Sequence, residues 1–213
     1  MSLEMELLAA QQARWPQSGR VILAQFDSDS VVVYQAYCPE TGRFAAEHGR
    51  FGPGFSLNRM TWVKPNFLWM MYRSGWGTKI GQEVTLAIRV RRTAFDELLR
   101  LAVPSSFDAR RYESRQQWQH AVAESEVRLQ WDPDHGPHGE GLERRAIQLG
   151  LRGSIIESYV SDWMVSIEDI SAYVAEQRSI LVGGSAISLM TPREQPYPVS
   201  DAQVARRLGL INE

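Results

Sequence analysis

Val84, Leu86, Ile88 and Val90 alternate with Glu83, Thr85, Arg89 and Arg91. A period of two with one apolar side predicts a half-buried strand, which needs paired neighbours and a layer over its apolar face. The rest of the chain must supply both. Residues 21–26 and 31–37 are β-branched and aromatic runs across the polar turn Asp27-Ser-Asp-Ser30, which predicts a hairpin. Val127, Leu129 and Trp131 alternate, as do Ile147, Leu149 and Leu151, and residues 164–167 predict a further strand.

Helical signals lie between these runs. Residues 3–15 predict a short amphipathic helix ending at Trp15-Pro16. Pro39 opens a helix through His48, and Pro65 opens one that stops before Gly75. Thr93 with Asp96 forms a capping box for a helix ending before Pro104, and a polar helical segment spans about 108–124. A second box, Ser154 with Glu157, precedes the face Ile155, Ile156, Tyr159, Val160 and Trp163. Ser200 and Gln203 begin a last helix that ends near Gly209. Residues 52–54 and 132–139 predict loops, and Gly183-Gly-Ser185 a simple turn. Strands and helices are interspersed without strict βαβ order. The expected fold is α+β, a single domain over 1–213 with its core in about 18–211, built on a mostly antiparallel or mixed central sheet flanked by helices.

Composition narrows the function classes. With 44% hydrophobic and 23% charged residues over 213, the chain reads as a soluble globular protein. No apolar run approaches the roughly 20 residues of a bilayer span. Two acids in Met1-Ser-Leu-Glu-Met-Glu stand where a signal peptide carries positive charge. The lone Cys38 excludes an internal disulfide and a multi-cysteine metal cage. A cytoplasmic setting is expected. The net charge of −2 excludes a nonspecific nucleic-acid coat, so any polyanion has to meet a local patch.

That patch is legible. From His48 to Gln82, thirty-five residues contain no aspartate or glutamate, five cations and seven of the twenty-one aromatic rings. Cations meet phosphates and aromatic faces meet bases, so the stretch suits a ring-bearing polyanion. Two readings stand side by side. In one, Trp62, Phe67, Trp69 and Trp76 are core. In the other, the Phe67, Leu68, Met71 and Tyr72 face of the Pro65 helix is core, and Arg59, Trp62, Lys64, Arg73 and Trp76 line a cleft. The helix start after Lys64 then aims backbone N–H groups at an anion.

Other candidates are scattered. Arg145 shares a strand face with Ile147, Leu149 and Leu151, and Gln148 lies on the opposite face with Ala146 and Gly150. Gln35 is an amide within an apolar strand, suited to reading a base edge or to backbone pairing. His135 and Glu40 are the candidate proton-transfer groups. Asp132, Asp134, His135 and His138 have metal-ligand chemistry, but Pro133 and Pro137 fit a tight turn and no HExxH frame surrounds them, so no metal is expected. No GxSxG elbow, Walker A loop or dinucleotide fingerprint is present, and no cofactor is assigned.

Three blocks resemble the family of bacterial and fungal proteins termed domain of unknown function 4291. They are Val33-Tyr-Gln-Ala-Tyr37; Arg59-Met-Thr-Trp-Val-Lys-Pro65 with Phe67-Leu-Trp-Met-Met-Tyr-Arg-Ser-Gly-Trp76; and Gln130-Trp-Asp-Pro-Asp-His135 with Arg145-Ala-Ile-Gln-Leu-Gly-Leu151. The resemblance implies a domain extent of nearly the whole chain and no mechanism. Three functions fit the residues: an enzyme acting on a nucleotide, dinucleotide or nucleic acid, a noncatalytic RNA or single-stranded DNA module, and a protein-interaction domain. No membrane partner is expected.

Overall fold

The computed structural model describes residues 3–210. In it Val84–Arg91 is the middle strand of an antiparallel three-stranded sheet, between Ser30–Tyr37 and Met164–Asp169. The register with Ser30–Tyr37 is unbroken, from Ser30 opposite Arg91 to Tyr37 opposite Val84. Val31, Val33, Leu86, Ile88 and Val90 therefore share one face and join the larger core cluster. Val32, Tyr34 and Ala87 share the other and join a second cluster. The expected half-buried strand is thus covered on both sides, and even Thr85 is buried. The extra layer comes from Phe67–Ser74 and from Ser171–Val182, a helix that no capping or periodicity signal revealed.

A second, mixed sheet is built on the antiparallel pair Val127–His135 and Gly141–Leu151. Gly19–Arg20 and Val103–Pro104 add parallel edges, and Thr61–Val63 pairs with the far end of Gly141–Leu151. Pairing runs through Asp132 and Pro133 and, after a register shift, reaches His135 opposite Gly141. Half of the expected 132–139 loop is therefore strand. The predicted 21–26/31–37 hairpin shrinks to a Phe26–Val31 bridge. Within its first arm only Leu23–Ala24 is strand, paired with Gln195–Pro196, and Gly19–Arg20 just before the arm joins the other sheet. The architecture is α+β with antiparallel and mixed sheets, as expected.

One short segment connects the two sheets. Thr61–Val63 lies on Gly141–Leu151, and the next residue, Lys64, exchanges backbone hydrogen bonds with Tyr34 of the first sheet. Lys64 N–H donates to Tyr34 O at 3.3 Å, and Tyr34 N–H donates to Lys64 O at 2.7 Å. Pro65 suits this junction because it disfavours helical geometry at the residue before it, holding Lys64 extended.

Several helix boundaries move for local reasons. Leu8–Gln12 is shorter than predicted, because Met5–Leu7 is a strand paired with Met190–Pro192. Pro39–His48 starts at the predicted proline. Pro65 lies outside its helix, which runs Phe67–Ser74 with Asn66 as the cap. Arg92–Leu101 lacks a side-chain cap, and Asp96 instead accepts from Tyr197 Oη at 2.6 Å. Arg115–Glu124 covers only the second part of the predicted 108–124 helix. Ser154–Ser158 passes into a wider turn over Tyr159–Trp163, and Ser154 Oγ donates to Glu126 rather than capping. Ala202–Leu208 is capped by Asp201 and closes at Gly209. No helix among the described residues is long and apolar enough to cross a membrane.

Candidate functional site

A cleft of about 640 Å³ opens along the junction between the sheets. The Ser30–Tyr37 strand contributes Gln35 and Tyr37, and Cys38 and Thr41 follow at the start of the next helix. The acid-free stretch brings Arg59, Thr61, Trp62, Lys64, Arg73 and Gln82, and the second sheet contributes Gln130 and Gln148. Three cations line the cleft, and no aspartate or glutamate does among the described residues. The sign inversion of the sequence is therefore also an inversion in space.

Lys64 is the least ordinary member. It is 5% exposed, and no hydrogen bond or ion pair reaches its ammonium among the described residues. Burial and, secondarily, the neighbouring Arg73 bring its pKa down to about 8, against the opposing field of Asp132. Arg59 and Arg73 are exposed on the cleft's walls. Arg73 meets Gln82 Oε1 only at 3.5 Å. Guanidinium groups stay charged at all working pH values, so they form fixed anion anchors, whereas a lysine in this setting can lose its charge.

The floor carries a pair of oriented amides. Gln130 and Gln148 face each other across the hairpin, and each donates Nε2–H to the same carboxylate, Asp132, at 2.8 and 2.7 Å. A carboxylate only accepts, so both amide nitrogens must face it, and both Oε1 atoms are left to accept from a ligand hydroxyl or N–H. Gln35, by contrast, is used internally. Its Nε2 donates to Thr61 Oγ1 at 2.7 Å and Trp62 O at 3.3 Å, while its Oε1 accepts from Tyr159 Oη at 2.9 Å. Trp62 is half-buried, with its indole close over Gly150 of the second sheet. Gly150 permits this, because a Cβ there would come to 2.7 Å from Met60 Sδ and 3.0 Å from the indole.

Six of the residues singled out in the sequence thus line one cleft: Gln35, Arg59, Trp62, Lys64, Arg73 and Gln148. Four lie elsewhere. Trp76 follows the helix end at Gly75, packs edge-on against Phe67 and donates Nε1–H to Pro137 O at 3.1 Å. His135 is buried, its ring stacked 3.5 Å from Tyr72 and 5.5 Å from Trp69. Its pKa is lowered, first by burial, which disfavours the charged ring. Glu40 is exposed in the first turn of Pro39–His48 and is not part of the cleft lining. Arg145 is exposed on the other face of its sheet, beside Arg20, Arg111 and Trp131.

The helix start expected to present N–H groups to an anion is already occupied. Asn66 Oδ1 accepts from Trp69 N–H at 2.7 Å, and the buried Glu194 carboxyl accepts from Phe67 N–H at 2.6 Å. The predicted face also turns: Trp69 and Met70 are buried while Tyr72 is 44% exposed, because Trp69 packs on His135. Asp134 pairs with the buried Arg144 at 2.6 Å, and no group of metal-ligating side chains occurs among the described residues. Gln130 carries no sequence signal of its own, and Asp132 stands out in the sequence only for its metal-ligand chemistry. Their pairing with Gln148 follows from the hairpin register, which the shift near Pro133 hides from a simple count back from the turn.

Residues 21–197 match the family model described as Domain of unknown function (DUF4291). No curated protein matches the chain.

Proposed function

The chain belongs to the DUF4291 family, and from that premise we propose that it is an enzyme that binds a nucleotide, free or within a nucleic acid, in the acid-free cleft. The family description names no chemistry, so the reading rests on the cleft itself. One observation carries it: Lys64 is buried, makes no ion pair among the described residues, and shares with Arg73 and Arg59 a cleft lining that contains no acid. Buried charge is normally paired, and a bound phosphate supplies the missing partner. Arg59 and Arg73 hold that phosphate. The Oε1 atoms of Gln130 and Gln148 accept from ribose hydroxyls or a base edge, and Trp62 offers an aromatic surface. Lys64, the one cation that can exchange its proton near neutrality, moves protons at the buried end. A recessed cleft with converging polar groups favours catalysis over a flat interaction surface.

Thermal unfolding with AMP, ADP and adenosine tests this. The phosphorylated compounds are expected to raise the melting temperature, adenosine is not, and Arg73→Ala is expected to abolish the shift. At about a hundredfold excess over Kd the stabilisation is about 2.7 kcal/mol, a shift of about 5–11 °C for a chain of this size. Equal stabilisation of wild type and Arg73→Ala would place the ligand outside the cleft.

A further inference from the structure

We propose that Lys64 is a covalent amine nucleophile, forming a Schiff base with the carbonyl of a phosphorylated sugar anchored by Arg59 and Arg73. The proposal rests on the phosphate-binding part of the preceding reading and adds the reacting group. The chain has two lysines, Lys64 and Lys79. Lys79 is exposed and donates Nζ–H to Arg73 O at 2.8 Å. Lys64 is its opposite: buried, with no partner among the described residues, and in the cleft wall. Its backbone exchanges both hydrogen bonds with Tyr34, so the side chain starts from a fixed place in the cleft wall. Desolvation and an adjacent cation are the two conditions that activate a lysine as a nucleophile, because each favours the neutral amine. Both occur here, burial first and Arg73 second, with Asp132 the opposing charge and Tyr37, Cys38 and Arg59 the other ionisable groups of the cleft.

The step balances without an oxidant or reductant. The Nζ lone pair attacks the carbonyl carbon, a C–N bond forms, and the C=O π pair moves to oxygen. That oxygen takes up protons and leaves as water while the nitrogen loses its protons and the C=N bond forms. Hydrolysis reverses it. The paired carbonyl oxygens of Gln130 and Gln148 suit the hydroxyls that flank such a carbonyl, and the arginines suit its phosphate.

The test is reductive trapping on the wild-type protein. Glyceraldehyde 3-phosphate or glyceraldehyde is added with cyanoborohydride, and peptide masses report the label on Lys64 and Lys79. Lys64 is expected to label at least about tenfold faster than Lys79 near neutral pH, with a rate that rises through the midpoint of its own titration. The phosphorylated aldehyde is expected to be preferred, and Arg73→Ala to remove that preference. Label that favours Lys79, or divides evenly, overturns the proposal. Equal rates for the two aldehydes at Lys64 overturn the phosphate-anchored substrate class. Lys64 labelling in a protein that AMP does not stabilise refutes the nucleotide reading alone. Stabilisation by AMP without Lys64 labelling refutes the Schiff base alone.

Discussion

At Lys64, burial and charge oppose each other. The folded protein holds this side chain largely buried beside another cation, and its pKa falls to about 8 from 10.5. Between those values the unfolded chain binds the proton and the folded one does not, so folding stability contributed by this group rises with pH. Below about pH 8 the buried charge costs its full amount, on the order of 3 kcal/mol for a depression of this size. Lys64→Met removes the cost. Urea unfolding is therefore expected to show the variant more stable than wild type at neutral pH, with the gap closing as pH approaches 10. A gap that is independent of pH would show that Lys64 keeps an ordinary lysine titration. The residue types of the site were legible because they are contiguous in sequence. Their states were not, since burial and the absence of a partner depend on Tyr34 and Asp132, thirty and sixty-eight residues away.

At the scale of elements, the Phe67–Ser74 helix shows how a correct signal can be misplaced by two residues. Pro65 marks the approach, but Asn66 makes the cap, and Glu194 from the far end of the chain completes it. Asn66→Ala removes the acceptor for Trp69 N–H and a donor to Glu194, and is expected to cost about 1–2 kcal/mol in a denaturant melt. No change would mean that Glu194 caps the helix alone. Sequence patterns located the five strands of six or more residues, because alternation survives wherever one face is covered. They failed where pairing is short and remote, as for Leu23–Ala24 with Gln195–Pro196, because two-residue strands have no period to read. Trp76 and His135 left the expected group for local reasons, one beyond a helix cap and the other at a strand end tucked under Tyr72.

At the scale of the molecule, residues 61–64 tie two sheets together and the cleft runs along that seam. Gln35 and Gln148 both line it but have different attachments. Gln35 bonds Thr61, Trp62 and Tyr159 across the seam, whereas Gln148 is held by Asp132 with its carbonyl oxygen left over. Gln35→Met is expected to destabilise by about 1–3 kcal/mol, since it strands several buried polar groups. Gln148→Met is expected to leave stability nearly intact and weaken AMP binding. Calorimetric unfolding and AMP titration of the two variants distinguish these roles, and matching effects from both would deny the division. Whether Lys64 meets a phosphate in the acid-free cleft can be read directly by carbon-13 NMR of lysine-labelled protein. With two lysines in the chain, two titration curves suffice. Lys64 is expected to titrate at about 8 in the free protein and to move upward with AMP but not with adenosine. A midpoint near the ordinary value of about 10.4 that AMP leaves in place would contradict a buried, phosphate-binding Lys64.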